Sequence, residues 1–389
     1  MMSTQTLYRS AAGEQAIQGL YDAALARWPV PCDTRHISTR HGDTFVVACG
    51  DHDAPPMILL HGAGSCSAIW AADTVKYSRK HCVYAIDLLG EAGKSAPNRP
   101  AWDSPAYAEW LLDVLDALNV QKATLVGISQ GGWTALKFAT LYPERTGRLV
   151  LLCPGGVTRD KLSFVLRAVA ASFKGRASVE QMTQSLFGDL PASPEAVEVA
   201  RLMMLHFKSR MGVLPLFSDE ELRRLTMPVM LLVGEKDGLR PSQKVAQRMQ
   251  RLLPHLVTAM IPKAGHVLLD TVRLIIPFLA ATEMQVGQQD PGRYDAFVAL
   301  GMAGQPQDVD QLMRLLAEQD DLPTLKLADF ALGLVNTPSG SARIRHYLLN
   351  GSQKQRNYAA LYFKRRGNGY VLGEAFAKGV IDREQAYAE

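Results

Sequence analysis

Six short apolar runs restrict the fold of this chain more than any other feature: Pro56-Met57-Ile58-Leu59-Leu60, Cys82-Val83-Tyr84-Ala85-Ile86, Ala123-Thr124-Leu125-Val126, Leu149-Val150-Leu151-Leu152, Val229-Met230-Leu231-Leu232-Val233 and Val257-Thr258-Ala259-Met260-Ile261. Each is too short for a buried helix and lacks polar alternation, so each reads as a strand covered on both faces. Helical stretches separate them, and that alternation predicts an α/β fold: a mostly parallel sheet with helices on both faces. Ahead of it, His36 to Thr39 and Asp43 to Ala48, joined by Arg40-His41-Gly42, read as an antiparallel hairpin. Ile17, Leu20, Tyr21, Ala24, Leu25 and Trp28 share one face of a helix over 13–28, which Pro29 and Pro31 end. A second helix starts plainly, with Ser104 as N-cap, Pro105 at the first helical position and Leu111, Leu112, Leu115 and Leu118 following.

Two segments fall outside the alternation. The interval 157–226 is helical and apolar, with Phe164, Val169, Phe173, Met182, Phe187, Met203, Met204, Phe207 and Met211, and lies between two strands of the sheet. An insertion there can cover the carboxyl ends of the strands, where open α/β sheets bind ligands, so it is expected to be a lid with an apolar inner wall. After a Gly- and Gln-bearing break at Gln285 to Gly292, residues 285–389 carry three related stretches, beginning at Asp295, Leu327 and Asn357. A spacing of roughly 30 residues is typical of helical repeats, so this part is expected to be an all-α, HEAT-like array offering a binding surface to a protein partner or a second copy. The expected domains are therefore 1–284, containing the lid, and 285–389. Lys364, Arg365 and Arg366 read as a solvated face.

At 389 residues the chain has room for a large core. Hydrophobic residues at 47% and charged ones at 21% are those of a globular protein, and no apolar run reaches the ~18 residues of a bilayer crossing. The first residues carry Glu14 and Asp22 where a secretory signal would be apolar, so a cytoplasmic enzyme is expected. Cys32, Cys49, Cys66, Cys82 and Cys153 form no CxxC pair and read as buried reduced thiols, with neither metal site nor cofactor expected. A net charge of +4 is too small and too dispersed to imply nucleic acid.

The chemistry is concentrated at strand ends. Gly127-Ile128-Ser129-Gln130-Gly131 follows the run ending at Val126 and reads as a nucleophile elbow, a strand-to-helix turn in which glycines two before and two after the serine let the backbones nearly touch. A serine used this way requires a base, an acid to hold that base, and donors for an oxyanion. Asp237 lies in the loop leaving the run at Val229 to Val233, with Glu235 and Asp160 as rivals, and His266 lies in the turn after Val257 to Ile261. The expected roles are nucleophile for Ser129, acid for Asp237 and general base for His266. The oxyanion donors are expected to be the N–H of Gln130, next to the serine, and that of Ala63 in the glycine-bearing turn His61-Gly62-Ala63-Gly64. His61 is expected to brace that turn, Asp87 to secure the turn after its strand, and Asp270 to face solvent or cap locally.

With these motifs in order, the chain resembles the α/β-hydrolase superfamily and, within it, bacterial carboxylesterases of the naproxen-esterase type. The resemblance rests on Ala26-Arg27-Trp28-Pro29-Val30, Ile37-Ser38-Thr39-Arg40-His41-Gly42, Asp53-Ala54-Pro55-Pro56, His61-Gly62-Ala63, Tyr84-Ala85-Ile86-Asp87, Trp110-Leu111-Leu112-Asp113-Val114, the Ser129 elbow and Ala264-Gly265-His266-Val267-Leu268, over roughly residues 15–282. It implies an α/β-hydrolase fold and hydrolysis of a small-molecule carboxylic ester through Ser129, with His266 as base and Asp237 at a position where some relatives place Glu. The apolar lid favours a hydrophobic substrate. The same triad serves carbon–carbon, lactone and amide hydrolysis, and a binding or scaffold protein acting through its helical tail is the alternative outside enzymes. The lid and everything beyond about 285 depart from the resemblance.

Overall fold

A computed structural model describes residues 6–161, 163, 176–191, 193–210, 212–268, 270–283 and 291–383. Phe164, Val169, Phe173 and Met211 of the expected lid, and residues 285–290 of the expected break, lie outside the described residues. The chain divides into two compact units, Met1–Leu269 and Asp270–Glu389.

The first unit is built on one eight-stranded sheet: β1 (Cys32–Ile37), β2 (Thr44–Cys49), β3 (Pro56–Leu60), β4 (Cys82–Ile86), β5 (Ala123–Ile128), β6 (Thr146–Leu152), β7 (Val229–Gly234) and β8 (Leu256–Ile261). Their order across the sheet is β1-β2-β4-β3-β5-β6-β7-β8. The hairpin is antiparallel, with Cys32 opposite Cys49 and Ile37 opposite Thr44, and β2 also runs antiparallel to β4. Every pairing from β4 through β8 is parallel. Met57, Ile58, Leu59 and Leu60 are wholly removed from solvent, as are Leu149, Val150 and Leu151 on β6. Complete burial of side chains this size stabilises the fold by ~1.5–3 kcal/mol each, which is why such runs cannot sit at a surface.

β3 lies between β4 and β5, with Ile58 beside Tyr84 on one side and Leu125 on the other. The chain thus leaves β3 in one direction and later returns on its opposite flank. At such a switch the loops beyond the carboxyl ends of the two central strands diverge and leave a crevice. The turn after β3 holds His61 to Gly64, and the turn after β5 holds Ser129.

Helices begin where local chemistry permits. α1 (Ala11–Ala26) is capped by Ser10, whose hydroxyl accepts from the Gly13 N–H at 3.1 Å, so the helix starts two residues before the expected position and ends before Trp28. After α2 (Ala71–Tyr77), α3 (Ala106–Ala117) starts one residue later than expected. Pro105 occupies the N-cap, and the Ser104 hydroxyl accepts from the Ala106 N–H at 3.3 Å. α4 (Gln130–Leu141) leaves the elbow. Within the interval 157–226 the described helices are α5 (Arg176–Phe187), α6 (Pro194–His206) and α7 (Asp219–Arg223), and α8 (Ser242–Leu252) connects β7 to β8. All five cysteines are free, four of them buried and Cys32 half-buried.

The second unit is helical: α9 (Val272–Glu283), α10 (Pro291–Ala303), α11 (Pro306–Glu318), α12 (Leu322–Leu334), α13 (Pro338–Asn350), α14 (Gln353–Arg365) and α15 (Gly369–Ala377). The unit begins one helix before the expected boundary at 284/285, and α9 packs on α12 within it. Its core is formed by Val309, Leu312, Met313, Leu316, Ala328, Leu332, Ile344, Leu348 and Phe363, among others. The three related stretches fall on α10, α12 and α14. Asp321, Thr337 and Ser352 cap successive helices through their side chains. Arg366 corrects one expectation. It is half-buried, not part of a fully solvated face: its guanidinium donates to the Gly333 and Val335 carbonyls and lies 3.9 Å from the Tyr362 ring centroid. It therefore caps the end of α12, where carbonyls lack partners within the helix. Arg365 pairs with Asp329. No described helix is long and apolar enough to cross a membrane.

Candidate active site

Ser129 stands between β5 and α4 with φ 53° and ψ −106°. A side chain there is strained by ~1–3 kcal/mol and persists only where the surroundings enforce it. The enforcement comes from glycine contacts: a Cβ on Gly127 would collide with the Gly131 carbonyl, and one on Gly131 with the carbonyls of Leu60 and His61. The turn is therefore pressed against the end of β3, and a Cβ on Gly62 would stand 3.5 Å from Ser129 Cβ. The Ser129 N–H donates to the Leu152 carbonyl at 2.9 Å, which fixes the turn to β6.

Asp237 and His266 arrive from the loops after β7 and β8, which are neighbours in the sheet. His266 Nδ1 lies 2.8 Å from Asp237 Oδ2. The other carboxylate oxygen, Oδ1, accepts from the N–H groups of Leu239 and Arg240 at 2.8 and 2.9 Å. Burial alone would raise the proton affinity of Asp237, but the His266 hydrogen bond and charge and the two amides outweigh it and hold the carboxyl at about 2. The loop carrying His266 is clamped on both sides. Gly265 N–H donates to the Phe187 carbonyl at 3.0 Å and Val267 N–H to that of Leu186 at 2.8 Å, both at the end of α5. The described part of the interval 157–226 thus holds the imidazole. A Cβ on Gly234 would collide with the Gly265 carbonyl, so the loops of Asp237 and His266 also touch without side chains between them.

Of the rivals for the acid, Glu235 accepts from the Lys263 N–H at 2.9 Å and so serves the turn after β8. Asp160 faces Arg240 instead of His266. His61 is buried and braces its turn: Nε2 accepts from the Leu88 N–H at 2.9 Å, and Nδ1 donates to the Gly62 carbonyl at 2.8 Å. Burial lowers its proton affinity, in keeping with a neutral ring. Asp87 accepts from the N–H groups of Ser67 and Lys94 and from the Tyr21 hydroxyl. Asp270 is exposed and lies 3.6 Å from Arg273.

Two side chains escaped the sequence reading. Glu91 is buried, with Oε2 accepting from the Gly64 N–H at 2.7 Å and Oε1 from the Gln130 side-chain amide at 3.0 Å. It thereby ties the Ala63 turn to the start of α4. Burial raises its carboxyl to about 7, against the pull of those two donors and of Arg99 and Arg210. The second is Arg240, whose Nη1 lies 3.1 Å from Ser129 Oγ, 3.1 Å from His266 Nε2 and 2.8 Å from the Cys153 carbonyl oxygen. No hydrogen bond joins Ser129 directly to His266; the guanidinium bridges them. The signal for Arg240 was an arginine three residues past Asp237 in the same short loop, and for Glu91 an acid in the turn after β4.

Among the described residues, one group of three could present ligating atoms to a metal ion: Cys153, Asp237 and His266, within 4.8 Å of one another. Its carboxylate and Nδ1 are already bonded to each other, and a guanidinium touches Nε2, so a further cation there would meet like charge at contact distance.

The profile of a family described as "Alpha/beta hydrolase family" matches residues 57–273. The chain is 32% identical over 260 residues to the uncharacterized carboxylesterase nap of Bacillus subtilis, covering 64% of this chain and 85% of that protein. It is 30% identical over 259 residues to the carboxylesterase YbfK of the same organism, with 64% and 86% covered. In three dimensions it is similar to the crystal structure of naproxen esterase from Bacillus subtilis, with a TM-score of 0.62, 28% identity, and 72% of this chain and 100% of that one covered.

Proposed function

Since the chain belongs to the alpha/beta hydrolase family and is related to its carboxylesterases, we propose that it hydrolyses carboxylic esters of small molecules through Ser129. The observation that carries this reading is the 2.8 Å bond from Asp237 to His266 beside a serine held on a strained, glycine-flanked turn. Ser129 Oγ attacks the ester carbonyl carbon while its proton passes to His266 Nε2, and Asp237 stabilises the imidazolium. The carbonyl oxygen becomes an oxyanion that accepts from the N–H groups of Gln130 and Ala63. Collapse expels the alkoxide, which takes the proton from His266 and leaves as alcohol. Water then gives a proton to the same nitrogen, attacks the acyl-serine, and the acid is released as Ser129 recovers its proton.

Glu91 supports the oxyanion donors from behind by holding Gly64 and the Gln130 side chain. The interval 157–226 acts as lid and as clamp on His266. The hydrolase domain ends near α9, and the C-terminal helices form a surface for a protein partner or a second copy. The test is turnover of p-nitrophenyl butyrate by the wild type and by Ser129→Ala. Turnover is expected to vanish in the variant, and equal rates in the two proteins would remove the reading.

A further inference from the structure

Arg240 is buried at the centre of this site, yet the mechanism above gives it no task. Its Nη1 carries two hydrogens and faces three acceptors: Ser129 Oγ, His266 Nε2 and the Cys153 carbonyl. A guanidinium donates and never accepts. While Nε2 accepts from it, the imidazole lone pair is not open to the serine proton. Nε lies 3.2 Å from Asp160 Oδ1 but out of line for a hydrogen bond, and has no other acceptor among the described residues. A buried cation with a donor unmet is costly unless something completes its partners. Two more arginines stand near the same crevice. Arg210 lies over the Trp102 ring at 3.8 Å and donates to the Tyr107 hydroxyl, Arg99 donates to the Gly90 carbonyl, and the charges of both reach Glu91.

We propose that the preferred substrates are esters that carry a carboxylate close to the scissile bond, and that Arg240 is the specificity-determining residue that binds it. The proposal rests on the ester-hydrolase reading above and narrows its substrate class. The carboxylate accepts two parallel N–H groups from the guanidinium, a geometry that arginine matches and a neutral ester cannot offer. Drawing Nη1 toward the anion releases Ser129 Oγ and His266 Nε2 to bond each other, and the proton transfer then proceeds. A neutral ester lacks that pull, so it reacts only in the fraction of time that the guanidinium leaves the two atoms on its own, and is cleaved more slowly.

The test compares monomethyl glutarate with dimethyl glutarate, which differ by one methyl group and one charge, by acid release in a pH-stat. p-Nitrophenyl butyrate serves as a neutral reference. For the wild type, kcat/KM for the monoester is expected to exceed that for the diester by about 10- to 100-fold, the range of a charge-assisted hydrogen-bonded pair. In Arg240→Gln the ratio is expected to fall to about one. Arg240→Lys, which keeps the charge and loses the fork, is expected to fall between, and carries the same comparison if the glutamine variant does not fold. A wild type that cleaves dimethyl glutarate as well as the monoester or better, or a preference that survives both substitutions, overturns the proposal. No turnover of any of the three esters removes the ester reading, and the proposal with it.

Discussion

The Asp237–His266 contact yields a prediction in which stability and activity separate. Asp237→Asn keeps the shape of the side chain and removes its charge. The fall of the Asp237 carboxyl from the usual 3.8 to about 2 corresponds, at roughly 1.4 kcal/mol per tenfold in proton affinity, to about 2 to 3 kcal/mol favouring the charged form in the folded state. Because the folded value is the lower one, this stability is fully present above about pH 5 and is lost as pH falls through 4 toward 2. Linkage with these values leaves about half of it at pH 3. Urea denaturation of the wild type and the variant at pH 7, 5, 4 and 3 is therefore expected to show a constant gap at the upper two values and a narrowing one below. Activity follows a different logic. An amide at position 237 can donate N–H to His266 Nδ1 and so select the tautomer in which Nε2 carries the proton, which costs about 10⁴-fold in kcat where a serine depends on that nitrogen. A gap of the same size at pH 3 as at pH 7 would refute the electrostatic account, and kcat within tenfold of the wild type would refute the role of Asp237.

Other outcomes follow from the same geometry. Ser129→Gly, which relieves a positive φ, is expected to melt higher than Ser129→Ala, with about 1 kcal/mol between them and no turnover in either; a lower melting temperature for the glycine variant would contradict the strain. Gly131→Ala must push the elbow off β3 and is expected to cost about 3 kcal/mol or more by urea denaturation, whereas a stability equal to the wild type would mean that the contact is slack. Glu91 has a folded value near 7, above that of the unfolded chain, so its effect on stability declines as pH rises from about 4.5 to 7. Glu91→Gln is expected to flatten that part of the pH–stability curve, and an unchanged slope between pH 5 and 8 would show that Glu91 is not what titrates.

The strands were legible because continuous apolar runs leave a chain few other places to go, and β3 to β8 each contain one of them. The proximity of Asp237 to His266 was legible for a related reason: loops leaving the same edge of adjacent parallel strands must meet. Helix starts were less so, since Ser104 and Pro105 satisfy two capping patterns one residue apart and only the hydrogen bond from Ala106 separates them. The clamp on His266 left no trace at all, because the groups of Leu186 and Phe187 that form it are main-chain carbonyls, which every residue has. Arg240 and Glu91 were missed for the opposite reason. Charged residues in turns ordinarily face water, and only the folded arrangement shows these two enclosed. Arg366 was misread on the same grounds.

The glycine contacts at Gly127, Gly131 and Gly234 bear on how a protein like this can be altered by mutation. Each is a place where main chain meets main chain, and each lies within three residues of Ser129 or Asp237. A library that randomises the neighbourhood of the proposed chemistry would therefore spend much of its diversity on members that cannot close the sheet ends. The interval 157–226 offers freer ground, provided that residues 186–188 keep their main-chain path. If that interval is the proposed lid, diversity placed there changes substrate preference while the turn that presents Ser129 is left alone.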